Sequence, residues 1–379
     1  MKGGPVTASP SVVHRLPSLT GLRFAAAFFV LLGHVNVWAP FLPTAMVSVS
    51  FFFVLSGFVL MWSARPTDTT RAFWRRRAWK ILPNHVVTWA VMYVVFVITG
   101  ISAVPGGPPP GDGWTSSPVI SLLLLHPWAP LPEFLYSVNP VSWSLSSEVL
   151  FYLLFPFVIQ LVRRIPAQLL TTTALVMVVL VFTVPILAGT LDGPALQPGV
   201  VEMPLVQYWF TYFFPPSRLP EFVLGMVLAR LVRNGLTPRL GVTIPAVAAV
   251  VCFNTAFFFL PPLFVFVAAS IVPVALIVVA AASMDLRGAR SMWRRPFMIF
   301  LGEISFALYL VHPLVVELFN AWAGSVIRPV IGTIATIVLE ITLCLLVAWL
   351  LHRTVERPLM RRFGSTPRIP DRATDDSPG

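Results

Sequence analysis

Apolar runs of about twenty residues, the length of helix that crosses a bilayer, recur along this chain and are separated by short segments rich in Pro, Gly and Arg. The pattern places membrane spans near residues 19–38, 45–64, 84–104, 145–163, 168–189, 217–234, 242–260, 263–284, 297–320 and 329–352. Pro261-Pro262 separates two of them, and Leu122–Leu125 is too short to span, reading as a re-entrant or interfacial piece. The fold class that follows is all-α: a polytopic membrane protein with about ten transmembrane helices.

Composition agrees. Charged residues are 11% of 379 and hydrophobic residues 57%, with a mean hydropathy of +0.83. Too little polar surface remains to cover a globule in water, so lipid is the main solvent. The net charge of +11 does not point to nucleic acid, because the basic residues sit at the ends of apolar runs beside aromatic ones, as membrane anchors do.

Their distribution sets an orientation. With Met1 in the cytoplasm, inner segments hold Arg65 to Lys80, Arg163 and Arg164, Arg230 to Arg239, Arg287 to Arg295 and the tail from Arg353 to Arg372, whereas Arg218 and Arg328 lie outside. Both termini are then cytoplasmic and the protein lies in the plasma membrane, residues 1–16 being a short cytoplasmic lead, 17–363 the membrane domain and 364–379 a disordered cytoplasmic tail. Met1–Pro17 has no apolar core of a cleavable leader. Cys252 and Cys344 fall in separate apolar runs, without metal-ligand spacing, so neither a disulfide nor a metal is expected.

Ionisable groups inside the bilayer are costly and are functional candidates for that reason. In the first span Arg23 and His34 are eleven residues apart, about 16 Å along a helix and about 20° from the same face. Taken singly, Arg23 also fits a snorkelling anchor and His34 a packing hydrogen bond. Ser142-Trp143-Ser144-Leu145-Ser146-Ser147-Glu148 opens the fourth span, where Glu148 is expected near the depth of His34, or else paired with Arg218. Ser305, Tyr309 and His312 form one stripe in the ninth, compatible with catalysis or with helix contact. Phe73-Trp74-Arg75-Arg76-Arg77-Ala78-Trp79-Lys80 suits lipid headgroups or, equally, the phosphates and adenine of a nucleotide-like ligand.

Together these stretches resemble the acyltransferase 3 family of integral membrane acyltransferases over residues 17–363. The resemblance rests on Leu19–His34 (the family's Arg-x10-His motif), Ser50–Phe58, Arg75–Pro83, Ser142–Tyr152, Leu301–His312 and Val355-Glu356-Arg357-Pro358, in matching order and spacing. It implies ten core helices and acyl transfer from a CoA thioester to a hydroxyl, with Arg23, His34, the basic loop and Glu148 as the essential residues. The chain departs from the family's Arg-x-x-Arg at Lys80, which is a point charge rather than a guanidinium fork, and places His85 where an aromatic residue is common. The sequence shows no SGNH hydrolase-like segment after the membrane region. Its bias to Arg over Lys is similar to actinobacterial members, some of which acylate sugars or secondary metabolites such as macrolides.

The expected reaction is O-acylation, moving an acetyl or other short acyl group from acyl-CoA to a sugar, glycan or metabolite hydroxyl. His34 is the general base, oriented by Glu148, with Arg23 beside the pantetheine arm. Arg75, Arg76, Arg77, Lys80 and Trp74 hold the donor, Ser144, Arg218 and Tyr309 are candidates for the acceptor or the oxyanion, and Trp143 and His312 are further substrate candidates. Acyl-CoA enters as co-substrate and no permanently bound cofactor is expected. A transporter or flippase is the competing class, since intramembrane Arg, His and Glu also form substrate paths; no internal repeat supports it.

Overall fold

A computed structural model describes residues 15–35, 42–65, 68–101, 117–135, 137–197 and 201–364. The expected lead before Arg15 and the tail beyond Gly364 lie outside these residues. Among the described residues ten helices reach fifteen residues or more: α1 (Pro17–His34), α2 (Leu42–Ser63), α3 (Thr70–Thr99), α4 (Trp143–Arg164), α5 (Leu170–Ala188), α6 (Leu219–Arg233), α7 (Thr243–Phe259), α8 (Ile271–Leu286), α9 (Pro296–Phe319) and α10 (Thr333–Leu351). Among the described residues eight segments are long and apolar enough to cross a membrane, one of them α8 joined to the short helix Pro262–Phe266. α6 and α7 are shorter. α6 continues a run of helical turns that begins at Leu205, and α7 has 17 residues. The only strands described, Ala195–Gln197 and Val201–Pro204, form a small hairpin.

The core is α1, α2, α6, α8 and α9 packed around shared faces, with α3, α4, α5 and α10 on its flanks. Packing in lipid has little hydrophobic drive, so close backbone approach decides where helices meet. Gly57 on α2 faces the Phe222 carbonyl of α6, and Gly225 on α6 faces the Val54 carbonyl of α2; a Cβ at either would lie within 2 Å of that oxygen. The two glycines thus make a reciprocal crossing. Gly225→Ala is expected to force the helices apart at a cost of about 1–3 kcal/mol. A thermal unfolding midpoint in detergent equal to wild type would show that the crossing tolerates a methyl group.

At the arginine-rich end, Asp285 in the last turn of α8 anchors the start of α1. Its carboxylate accepts from the Ser18 amide (2.8 Å) and hydroxyl (2.7 Å), placing a negative charge at a helix N-terminus. Arg294 approaches the same carboxylate at 3.3 Å. α1, entering there, carries Arg23 inward and ends at His34.

One sequence expectation changes and another gains its geometry. The basic segment is not a loop: α3 starts at Thr70, whose predecessor Thr69 caps it by accepting from the Ala72 amide (3.3 Å), and runs unbroken through Pro83. Its charge density masks its helicity, because apolar runs mark only the part of a helix that meets lipid. The Leu122–Leu125 stretch belongs to a folded-back connection, a short helix Ser117–Leu122 and a 3-10 turn His126–Trp128, joined through Leu124 at φ 57°. Ser117, Ser121 and His126 face inward while Leu123 and Leu125 face outward.

Candidate active site

Two hollows open in succession from the arginine-rich end. The outer one, about 1030 Å³, lies between the ends of α2 and α4 and the start of α3, and Arg65, Arg76, Arg77 and Arg163 line it. The inner one, about 880 Å³, runs between α1, α2, α3, α4 and α9 and is lined by Arg23, Arg77, Lys80, Glu148, Tyr152, Ser144, Ser305 and Tyr309 together with apolar side chains. Leu60 and Arg77 belong to both, so the hollows adjoin.

On helix α3, residues 76, 77 and 80 share one side, and that side meets the hollows. Arg76 pairs with Asp68 at 3.0 Å. The Arg77 guanidinium lies over the rings of Phe73 (5.5 Å) and Tyr152 (5.7 Å). Among the described residues, Arg76 Nη1 and Arg77 Nε are buried without a protein acceptor, which is unusual unless a ligand supplies one. Lys80 pairs with Glu356 and lies 5.5 Å from the centre of the Phe306 ring. Arg75, by helical geometry, points away and is exposed. Trp74 is tied by its indole N–H to the Tyr152 carbonyl (3.0 Å), and Trp79 stacks on Phe363 at 4.3 Å. Neither Arg75 nor Trp74 lines a hollow, so this geometry does not support the expected role of Arg75 as a clamp or of Trp74 as an adenine platform.

Glu148 lies in the inner hollow, where it accepts from the Tyr152 hydroxyl at 3.0 Å and shares the lining with Arg23. Arg23 thus faces the cleft. The expected Glu148–His34 contact is absent among the described contacts; the ring beside His34 is His312, 4.9 Å between centroids and edge-on. Glu148 misses His34 because the side chain one turn on, Tyr152, holds it toward the basic lining instead.

Both imidazoles are fixed in the same way. His34 Nδ1 lies 2.8 Å from the Val30 carbonyl and His312 Nδ1 3.2 Å from the Leu308 carbonyl. A carbonyl only accepts, so each Nδ1 carries the hydrogen and each neutral ring keeps Nε2 as its basic nitrogen. His312 Nε2 is buried with no partner among the described residues. The Tyr309 ring is 6.1 Å from that of His312. Tyr309 Oη is 2.8 Å from Ser144 Oγ and donates to the Val141 carbonyl at 3.0 Å. The inner hollow therefore ends on Tyr309 and Ser144, and a line of rings, Tyr309, His312 and His34, continues from it. His34 itself is half-buried and is not among the lining residues.

Arg218 and Trp143 fall elsewhere. The Arg218 guanidinium is fully buried, donates to Glu221, Ser50 Oγ (3.1 Å) and the Tyr212 carbonyl (3.2 Å), and is enclosed by Phe53, Trp143 and Tyr212. The guanidinium is enclosed on all sides and neither residue lines a hollow, which accounts for both as packing. His126, in the folded-back connection, lies 3.4 Å from Ser142 Oγ; burial, with His85 nearby, pushes its pKa down to about 3 and keeps it neutral.

Sequence reasoning missed Arg65 and Arg163 as lining residues, since charges at helix ends read as topology signals. It also gave no role to Glu356, quoted only as part of a motif.

The acyltransferase domain family model matches residues 16–353. Acyltransferase MdmB of Streptomyces mycarofaciens is 38% identical over 97% of this chain and 98% of that protein. O-acetyltransferase OatA of Staphylococcus aureus is 22% identical over 92% of this chain, which spans 57% of OatA. No solved structure matches the chain.

Proposed function

The chain belongs to the acyltransferase 3 family of membrane acyltransferases, and from that premise we propose that it transfers an acyl group from acyl-CoA to the hydroxyl of a small molecule. The observation that carries this reading is the pair of adjoining hollows: a guanidinium-rich chamber at the basic end opening into a narrower cleft that ends on hydroxyls, with two histidines beyond. A CoA ester has that shape, with several phosphate charges at one end and a neutral thioester about an arm's length away. Arg65, Arg76, Arg77 and Arg163 take the phosphates, as guanidinium forks suit them. The arm runs past Lys80 and Arg23, and the thioester lies near Tyr309 and Ser144.

In the chemical step His34 Nε2 takes the acceptor hydroxyl proton as the oxygen attacks the thioester carbonyl carbon. A hydroxyl of Tyr309 or Ser144 donates to the developing oxyanion. The carbon–sulfur bond then breaks, and the thiolate of CoA regains the proton from His34. His312 holds the His34 ring edge-on, the place the sequence reading gave to Glu148; Glu148 instead balances Arg23 in the cleft.

The basic end is assigned to the cytoplasm and the membrane to the plasma membrane, because Lys and Arg concentrate on inner segments and CoA is a cytoplasmic metabolite. The acceptor is proposed to be a sugar or secondary-metabolite hydroxyl of the macrolide kind. The likeness to a Streptomyces acyltransferase is nearly full-length on both chains, whereas this chain spans 57% of OatA.

Detergent-solubilised protein incubated with labelled acetyl-CoA and a hydroxylated macrolide should yield labelled ester and free CoA. A transporter would give neither. Arg77→Ala should raise the apparent KM for acyl-CoA about tenfold or more, the usual worth of a charge-assisted phosphate contact, and leave kcat nearly unchanged. An unchanged KM would return the basic face of α3 to lipid headgroups.

A further inference from the structure

Lys80, which lines the inner hollow, is held by one residue from the far end of the chain. Glu356 is 3% exposed and lies in a π-helical turn, His352–Glu356, between α10 and the short helix Arg357–Phe363. One carboxylate oxygen takes the Lys80 ammonium; the other accepts from Asn84 Nδ2 at 2.9 Å and lies 3.2 Å from His352 Nδ1. Lys80 and Asn84, one turn apart on α3, thus clasp the same carboxylate, and Lys80 alone of the three lines the cleft.

Consider Lys80 without that carboxylate. Its four-carbon stem is flexible, its ammonium is a compact charge, and Arg23 and Arg77 line the same cleft and repel it. Among the described residues it also lies 5.5 Å from the centre of the Phe306 ring. A guanidinium would be stiffer and would hold a planar contact alone; an ammonium needs an anchor. The π-helical turn supplies one, and such single-turn widenings are frequent at functional sites.

We propose that Glu356 is a positioning residue of the donor site, fixing the Lys80 ammonium in the cleft so that it meets an anionic or carbonyl oxygen of the acyl-CoA. This rests on the donor reading of the two hollows. It gives the Val-Glu-Arg-Pro stretch a task that the catalytic residues do not share: coupling the end of α10 to donor binding.

A clean probe exists because Asn84 Oδ1 is buried without a partner among the described residues. In Glu356→Gln the new amide N–H₂ meets Asn84, which turns over and accepts with Oδ1, so the hydrogen bonds survive and only the charge is lost. Glu356→Asp does the reverse, keeping the charge but drawing it back from Lys80. The experiment measures KM for acetyl-CoA and kcat in wild type, both Glu356 variants, Lys80→Met and the double variant Glu356→Gln with Lys80→Met, after detergent unfolding midpoints confirm folding.

KM should rise about five- to tenfold in both Glu356 variants and in Lys80→Met, with kcat within about threefold. The double variant should match Lys80→Met alone, because Glu356 acts through that ammonium. An unchanged or lowered KM in Glu356→Asp, or effects that multiply in the double variant, overturns the proposal while leaving the donor site intact. A wild-type protein whose turnover does not saturate with acetyl-CoA overturns both.

Discussion

His34→Ala should lower kcat by about 10²–10⁴-fold, the usual contribution of a general base, with KM for acyl-CoA little changed. The two parameters separate because His34 lies outside the lining of the donor hollows and is joined to their inner end through Tyr309 and His312. The expected loss follows from tautomer geometry: with Nδ1 committed to the Val30 carbonyl, Nε2 is left to take a proton. His34→Gln tests that point, because an amide has no titratable nitrogen; it should be as impaired as alanine while filling similar space. His312→Ala should cost less, since that ring orients rather than accepts in this scheme. The assay is single-turnover ester formation at saturating donor, with unfolding midpoints showing that the variants are folded. Turnover of His34→Ala within about tenfold of wild type would remove the base from this position and leave the two-hollow donor site without its proposed chemistry.

How much of this was legible beforehand depended on which physical signal each residue carried. Apolar runs mark helices that meet lipid, so α1, α2, α4, α5 and α9 fall within a few residues of the expected spans. α3 was placed fourteen residues late because its first turns bear Arg71, Arg75, Arg76, Arg77 and Lys80, and hydropathy is blind to a helix that projects beyond the bilayer. Among site residues, Arg23, Glu148, Arg77, Lys80, Ser144 and Tyr309 do converge on one cleft, because intramembrane polarity is expensive and helices turn it inward. What composition and spacing do not contain is which polar groups satisfy one another. Glu148 was matched to His34 by depth along their helices, yet depth fixes one coordinate of three, and rotation of α4 gives Glu148 to Tyr152 and Arg23. Glu356 was likewise beyond reach, since its partners Lys80 and Asn84 lie more than 270 positions away.

Arg218 separates burial from catalysis most sharply. Its guanidinium and the Glu221 carboxylate are both fully buried, 3.0 Å apart at their nearest atoms, with Ser50 and the Tyr212 carbonyl taking remaining donors and aromatic rings closing the faces. Removing one member of such a pair leaves the other charged and unsolvated, which costs about 3–5 kcal/mol, whereas replacing both by apolar groups of similar volume is often neutral or better. Arg218→Met should therefore lower stability by about that amount, read as a large fall in the unfolding midpoint and in the yield of folded protein. Arg218→Met with Glu221→Leu should recover most of the loss, because neither charge then remains in the core. The folded fraction of the double variant should retain kcat within about threefold of wild type, since neither Arg218 nor Glu221 lines a hollow. An oxyanion donor would behave in the opposite way: Arg218→Met would stay folded and lose turnover, and neutralising Glu221 would restore nothing. The double variant decides, because restored stability with lost turnover would move Arg218 from the packing of α2, α4 and α6 back into the reaction.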